Sequence, residues 1–334
     1  MTRPICLVTG ATGAIGPGVV AAMSATHDVR TLSRALPDPA LFGPSAMFSA
    51  GHAPVQSFTG DVTDAESVRR AAAGADVIVH LAALLHVVDP PPAMRAEYER
   101  VNVQGTAVIL DAARIEGVSR VVLMSTIAVY GYAGRSLLDE DSPAAPGTLY
   151  GQTKLAAERL ALAAHGHAGE PLATVVRSAA VYGPRVKGNY ERLVHALARR
   201  RFVPIGKGEN LRTLIFEDDL AAATALAARH PNAAGRIYNV TDGTPHPLRE
   251  IIVAISVALG RRPPRCYLPV MPVRAALRAA AVIDSRLPCT LDKYLEEVAV
   301  DGSRVQHELG FRPSVHLVDG WRRTIDMMRR AGRL

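Results

Sequence analysis

The stretch Thr9-Gly10-Ala11-Thr12-Gly13-Ala14-Ile15-Gly16 constrains this chain more than any other. It follows a short apolar run, Ile5 to Val8, and opens a helical pattern from Ala14 to Ser24. Strand, glycine turn and helix in that order let the backbone approach a phosphate closely. They also turn free N–H groups and the positive end of a helix dipole towards it. The spacing is GxxGxxG rather than GxGxxG, so the order of elements carries the reading. Gly10, Thr12, Gly13, Ala14, Ile15 and Gly16 are therefore the candidate phosphate-binding residues.

The rest of the N-terminal half repeats the alternation. Val29 to Leu32, Val55 to Phe58, Val77 to Leu81, Arg120 to Met124 and Ala173 to Arg177 read as strands. Helical patterns lie between them, among them Glu97 to Ile115 and Tyr150 to Ala164, and Thr63 and Glu66 have capping-box spacing. Strands alternating with helices predict an α/β, Rossmann-type, doubly wound parallel sheet. The segments Leu36 to Pro54 and Asp89 to Pro92 read as irregular excursions. After Arg177 prolines and glycines become frequent and helices dominate, which predicts a smaller, mostly helical substrate-binding domain. The expected division is 1–177 with about 213–240 in the sheet domain, and 178–212 with 241–334 in the smaller one.

In such folds a ribose is read at the end of the second strand, where an NAD site places a carboxylate. This chain has Ser33 and Arg34 there, and Asp28 lies at the wrong end of the strand. A serine and an arginine suit a 2′-phosphate, so NADP is the expected cofactor, with NAD as the alternative; Arg34 as a plain surface charge also stays open. Tyr150 and Lys154 stand four apart, on one helix face. With nine tyrosines and four lysines in 334 residues, chance gives about 0.1 such pairs. An ammonium near a phenol stabilises the phenolate, which makes Tyr150 a proton donor and acceptor. Lys154 is also placed to hold a ribose. Ser125 and Thr126, at the end of the fifth strand, could polarise a carbonyl or could merely cap the strand.

These segments together resemble an extended short-chain dehydrogenase/reductase of the NAD(P)-dependent epimerase/dehydratase family. Gly60-Asp61-Val62 resembles the family's adenine-contacting turn, and His80-Leu81-Ala82-Ala83 its segment beside the centre of the cofactor. Asn102-Val103-Gln104-Gly105-Thr106 resembles its helix motif. The resemblance thus implies cofactor contacts at Asp61, Val62, Leu81, Ala82, Ala83, Asn102 and Lys154. In Ser125-Thr126-Ile127-Ala128-Val129-Tyr130-Gly131 the catalytic hydroxyl lies four residues before the tyrosine, which makes Thr126 the first choice and Ser125 the second. Further on, Val181-Tyr182-Gly183-Pro184, Tyr238-Asn239-Val240 and Glu308-Leu309-Gly310-Phe311 resemble family landmarks. The resemblance implies that Arg212 binds a sugar nucleotide's diphosphate and that Asn189 and Lys187 stand in the substrate loop.

Two departures narrow the expectation. Ala180 stands where some epimerases carry an asparagine that touches the substrate phosphate, and Ser178 replaces a frequent proline. Ile127-Ala128 follows Thr126 where 4,6-dehydratases carry Asp-Glu, so the acid/base pair for eliminating water is missing. The implied function is oxidoreduction at C4 of a nucleotide-activated sugar, first as a 4-keto reductase. A reductase consumes its cofactor and exchanges it, which suits NADP, whereas an epimerase returns the hydride. The alternatives are a nucleotide-sugar 4-epimerase and a dehydrogenase or reductase of an apolar alcohol such as a sterol. A non-catalytic NADP sensor is disfavoured because Tyr150 and Lys154 are both kept.

Composition bounds the rest. The formal charge is +7, and 34 of the 38 basic residues are arginine. Arginine's planar fork suits phosphate and carboxylate, and the arginines are scattered with aromatics at only 5%, so no nucleic-acid partner is expected. Cys6, Cys266 and Cys289 show no metal or disulfide spacing, and no metal site is expected. No signal-like segment or membrane-length apolar run is present, which gives the expectation of a cytoplasmic protein with no integral membrane segment. Val270 to Ile283 is apolar but carries Arg274 and Arg278, and it reads as an amphipathic surface helix, with lying on a membrane as the lesser alternative. A homodimer is the expected assembly.

Overall fold

The computed structural model describes residues 3–42, 54–87, 90–132, 134, 136–280, 291 and 294–334. Its strands are β1 Ile5–Thr9, β2 Asp28–Ser33, β3 Gln56–Thr59, β4 Val77–His80, β5 Arg120–Thr126, β6 Leu137–Leu138, β7 Ala173–Ser178, β8 Ala180–Tyr182, β9 Leu211–Arg212, β10 Leu214–Phe216, β11 Ile237–Val240, β12 His246–Pro247 and β13 Ala299–Val300. Seven of them form one parallel sheet in the order β11-β7-β5-β4-β1-β2-β3. The chain runs outwards from β1 to β3 and then returns to place β4 on the other side of β1. The order therefore reverses between β1 and β4, and a crevice opens there at the carboxyl ends of the strands. This is the doubly wound Rossmann-type architecture that the alternation predicts.

Helices cover both faces of the sheet. Central strands such as β4 and β7 are buried along their whole length, as strands covered on both sides must be. One face packs on α1 (Gly16–Ser24), with Val19, Val20 and Met23 fully buried. The other packs on α2 (Ala65–Ala72) and on the helices between β4 and β7, through Val68, Ile109, Ala157 and Ala161. Asp64 is the N-cap of α2, accepting from the N–H groups of Glu66 and Ser67 at 3.4 and 3.2 Å. The expected Thr63–Glu66 capping box does not form, because Thr63 donates to Asp61 instead.

The long helix expected over 97–115 is broken into three pieces. These are α3 (Met94–Tyr98), a wider-turn segment Glu99–Gln104, and α4 (Gly105–Ile115). Such an insertion re-aims side chains and is common at functional sites. After it come α5 (Leu149–Ala163), α6 (Asn189–Ala198), α7 (Glu217–Arg229), α8 (Leu248–Ala258), α9 (Val270–Ala280), α10 (Ser303–Leu309) and α11 (Leu317–Arg330).

A third core belongs to the later elements, where Tyr182, Phe216, Ile251, Ile255, Trp321 and Ile325 pack together. The strand β11 joins the main sheet and α7 packs on it, whereas β10 pairs with β8 of the smaller part. Not every late element stays with that smaller core. Val300, Val305, Leu309 and Phe311 pack under the main sheet. The amphipathic helix expected over 270–283 forms over Val270–Ala280, and its remainder, like Cys289, lies outside the described residues. No helix among the described residues is long and apolar enough to cross a membrane.

Candidate active site

Gly10 makes the crevice possible. Its φ is +71°, and a Cβ there would stand 2.6 Å from the backbone nitrogen of Ala82. The β1–α1 loop thus lies directly against the segment that leaves β4, and only glycine satisfies both the dihedral and the contact. Gly13 and Gly16 continue the tight turn with N–H bonds to the carbonyls of Gly10 and Gly13 at 3.0 and 3.2 Å. No side chain caps α1, and its first turn holds no acid. Its N–H groups are left for an anion, as a pyrophosphate requires.

Among the described residues, two buried polar atoms at the carboxyl ends of main-sheet strands have no partner: the Ser33 hydroxyl at the end of β2 and Nε2 of His80 at the end of β4. Buried polar atoms are nearly always bonded, so these two mark groups prepared for a ligand. Nδ1 of His80 lies 2.7 Å from the Thr9 hydroxyl, which in turn accepts from the Ala82 N–H at 3.4 Å. Burial, with the nearby Lys154 ammonium, pushes His80 down to about 3, so its ring is neutral. Asp61 accepts from the N–H and hydroxyl of Thr63 at 2.9 and 2.8 Å. Burial alone would raise its carboxyl, but these bonds and the Arg100 and Arg34 charges hold it below the usual range. Arg34 is exposed, and Asp61 and Glu97 both feel its charge. The orphaned serine, the glycine cradle and the uncapped helix fit a dinucleotide cofactor.

The residues expected to handle protons lie on and around α5. Gly151 abuts β5's exit, since a Cβ there would lie 2.9 Å from the Ala128 carbonyl oxygen. Gly151, next to Tyr150, is thereby set against Ala128, two residues after Thr126. The two candidate hydroxyls divide between roles. Ser125 is buried and donates to the buried Glu158, while Thr126 is half-buried and, among the described residues, accepts from the Ala128 N–H alone, at 3.2 Å. Thr126 is the hydroxyl with capacity left for a ligand. Desolvation pushes the Tyr150 phenol up to about 12, with the Tyr98 phenol as the second cause. The Tyr–Lys spacing predicts a lowered phenol; in the structure the causes of its shift, desolvation and Tyr98, both raise it. Lys154 is itself buried and pushed down to about 8, with Glu158 opposing the shift.

Sequence reasoning missed what holds this group in place. Glu158 stands four residues after Lys154 and receives three guanidinium contacts from the buried Arg177, at 2.7, 3.1 and 3.2 Å. Arg177 also donates to the Tyr130 hydroxyl at 2.9 Å, and Tyr130 donates to Asn239 at 2.8 Å. The i,i+4 spacing of Lys154 and Glu158 was the available signal. Asn102, expected at the cofactor, bonds within the chain. Its amide binds both backbone groups of Leu84, at 2.7 and 3.2 Å, and the Thr153 hydroxyl at 3.1 Å. Tyr98 holds the same loop through Leu85 and Val87 at 2.6 and 3.0 Å. That loop carries His86, whose exposed ring lies 6.1 Å from the ring of Tyr150.

The expected substrate residues form a second group. Lys187 and Asn189 line a cavity of about 170 Å³ with Tyr190, at the start of α6. Burial pushes Tyr190 up to about 12, against the charge of nearby Arg212. Arg212 donates to the Tyr294 carbonyl at 3.0 Å and lies 3.9 Å from a carboxylate oxygen of Glu296. None of Tyr150, Lys154 and Thr126 lines that cavity. Among the described residues no group of three or more potential ligands could hold a metal.

A parallel sheet with a glycine cradle at its reversal, and a Tyr–Lys pair beside a strand-end hydroxyl, defines a dinucleotide-dependent oxidoreductase. Residues 6–241 match the NAD dependent epimerase/dehydratase family, and the chain belongs to it. A dTDP-glucose 4,6-dehydratase of Streptomyces griseus is 33% identical over 82% of this chain and 78% of its own length. A 4-hydroxy-2-methyl-3-oxo-4-farnesyl-3,4-dihydroquinoline-1-oxide ketoreductase of Stigmatella aurantiaca is 30% identical over 97% of this chain and 96% of its own. The solved structure of MoeE5 in complex with UDP-glucose and NAD superposes with a TM-score of 0.76, at 27% identity over 98% of this chain and 99% of that one. The chain is an NAD(P)-dependent enzyme of the extended short-chain dehydrogenase/reductase type.

Proposed function

We propose that this enzyme carries out oxidoreduction at C4 of a nucleotide-activated sugar and works as a 4-keto reductase with NADP(H). The observation that carries the cofactor and the direction is the end of β2. It offers the unpartnered Ser33 hydroxyl and the exposed Arg34 guanidinium, with no carboxylate on the strand's end. Elimination of water finds no support, because buried Ile127 and half-buried Ala128 stand where an acid/base pair would be needed.

Gly10, Thr12, Gly13, Ala14, Ile15 and Gly16 would cradle the cofactor's pyrophosphate. Asp61 and Val62 would flank its adenine, and Leu81, Ala82 and Ala83 its centre. A bound nicotinamide supplies hydride transfer. The chain does the remainder: Thr126 holds the carbonyl oxygen, Tyr150 gives it a proton, and Lys154 orients a ribose and carries positive charge beside the phenol. Asn102 and Tyr98 act as positioning residues for the loop over this site. Arg212, Asn189 and Lys187 would hold the diphosphate, and the functional protein would be a homodimer.

A second reading is a 4-epimerase retaining NAD, favoured by the NAD in the MoeE5 complex. A third is reduction of an apolar ketone, favoured by the full-length match to the quinoline ketoreductase. The deciding experiment supplies NADPH with a 4-keto-6-deoxy UDP-sugar, and separately UDP-glucose without added cofactor. Stoichiometric loss of NADPH supports the proposal. Untouched NADPH with conversion of UDP-glucose to its C4 epimer overturns it. Arg34→Ala tests the cofactor assignment, since one charge-assisted phosphate contact is worth about 1.5–3 kcal/mol, roughly ten- to a hundred-fold in affinity. Equal wild-type affinities for NADP and NAD would refute it.

A further inference from the structure

We propose that residues 199–207 and 261–279 form a surface that docks on anionic lipid headgroups, with α9 lying along the bilayer interface. The first segment carries the exposed Arg199, Arg200, Arg201 and Lys207, the second the exposed Arg262, Arg265 and Arg278 with Arg261 and Arg274 half-buried, and neither contains an acid. The fold joins them. The Leu268 N–H donates to the Pro204 carbonyl and the Gly206 N–H to the Leu268 carbonyl, both at 2.8 Å. Around this junction large apolar side chains face solvent: Met271 is 73% exposed, Val203 50%, Tyr267 48% and Leu268 44%.

Cations and exposed aliphatic side chains on one surface decide the partner. A nucleic acid would reward the cations and leave Met271, Leu268 and Val203 wet, whereas an anionic bilayer interface satisfies both kinds of group. The pattern within α9 agrees. Val270, Val273 and Leu277 are half-buried and Met271, Ala275 and Arg278 are exposed, so one face packs on the protein while the other stays open. Proline at 272 and the arginines keep the helix from reading as a membrane span. The surface also adjoins the expected substrate site. Phe202 lies 6.3 Å, ring to ring, from Tyr294, whose carbonyl accepts from Arg212. Docking would set that side of the enzyme against the headgroups.

The test is co-sedimentation of the full chain with vesicles of phosphatidylcholine and phosphatidylglycerol, and with phosphatidylcholine alone. The wild type should pellet with the anionic vesicles only, and added salt should release it. Each cation near such a surface contributes about fivefold to partitioning, so Arg262→Glu/Arg265→Glu should lower it at least tenfold. Leu268→Ser/Met271→Ser should lower it comparably, with cofactor binding retained as the sign of a folded chain. If the serine variant does not fold, the charge-reversal variant decides. Absence of pelleting, equal pelleting with neutral vesicles, or wild-type partitioning by the folded variants overturns the proposal. So does displacement by a duplex oligonucleotide combined with indifference to the serine changes, which would identify a nucleic-acid surface.

Discussion

Replacing Glu158 by glutamine should unsettle both the stability and the pH range of this enzyme, although Glu158 lies outside every expected binding set. Its side chain is 1% exposed and that of Arg177 is 4% exposed. Oε2 receives two guanidinium contacts, at 2.7 and 3.2 Å, and Oε1 receives a third, at 3.1 Å, together with the Ser125 hydroxyl. Glutamine keeps the volume but turns one of these two acceptors into a donor that faces other donors. It also leaves the guanidinium charge buried without its counter-charge. Removing one partner of such a pair costs about 3–5 kcal/mol. The double change Glu158→Leu/Arg177→Met removes both charges and should cost less than the single change, because no orphaned charge remains.

The same substitution reaches the chemistry through Lys154. Burial depresses its ammonium to about 8, and Glu158 is the group that opposes the depression. Without that carboxylate the folded-state pKa falls further. Turnover that needs the charged ammonium is lost as pH rises through this pKa, so the alkaline limb of kcat/KM should move to lower pH in Glu158→Gln. Urea unfolding at pH 7 and a pH–rate profile measure the two effects. A loss below 1 kcal/mol, or an alkaline limb that stays in place, would refute this account of the network.

Tyr150→Phe should abolish turnover while leaving cofactor affinity within a few-fold, since the ring packs as before without the hydroxyl; a kcat above a tenth of wild type would remove Tyr150 from the mechanism. Gly10→Ala should lose cofactor binding by at least tenfold in a calorimetric titration, because alanine must both adopt φ +71° and clear the Ala82 nitrogen at 2.6 Å. Glu217 is buried against Gly183, and burial, opposed by the Arg185 charge, raises its carboxyl to about 7. Between the ordinary 4.5 and about 7 the folded chain keeps a proton that the unfolded chain has released. The resulting stabilisation is full at low pH and lost as pH rises through that window, to the extent of about 3 kcal/mol. Glu217→Gln should therefore gain stability relative to wild type between pH 5 and pH 8, read from melting temperatures at both.

What was legible in the sequence followed one rule: local pattern shows, and partnership across the chain does not. Strands β1, β4 and β5 each hold three or four consecutive apolar residues because helices cover both of their faces, so each announces itself within a few residues. The glycine loop is equally local, since Gly10 answers to its own φ and to one neighbour. The helix over 97–115 defeats this kind of reading. Its apolar periodicity continues through Glu99–Gln104, yet the backbone widens there and Asn102 ties Leu84 to Thr153. The chemistry of one asparagine decides that, across eighteen residues on one side and fifty-one on the other. Ser125 and Thr126 show the same limit. As adjacent strand residues with near-identical hydroxyls they are equivalent in sequence, and Glu158, brought in from α5, commits Ser125 to the core while Thr126 stays half-buried. Arg177 was visible only as the last residue of a strand, although it is the charge on which Glu158, and through Glu158 the Tyr150–Lys154 pair, depends. An active site built from local motifs thus rests on buried polar contacts whose members lie far apart in the chain, and substitutions in that support should separate binding from turnover as sharply as substitutions in the motifs themselves.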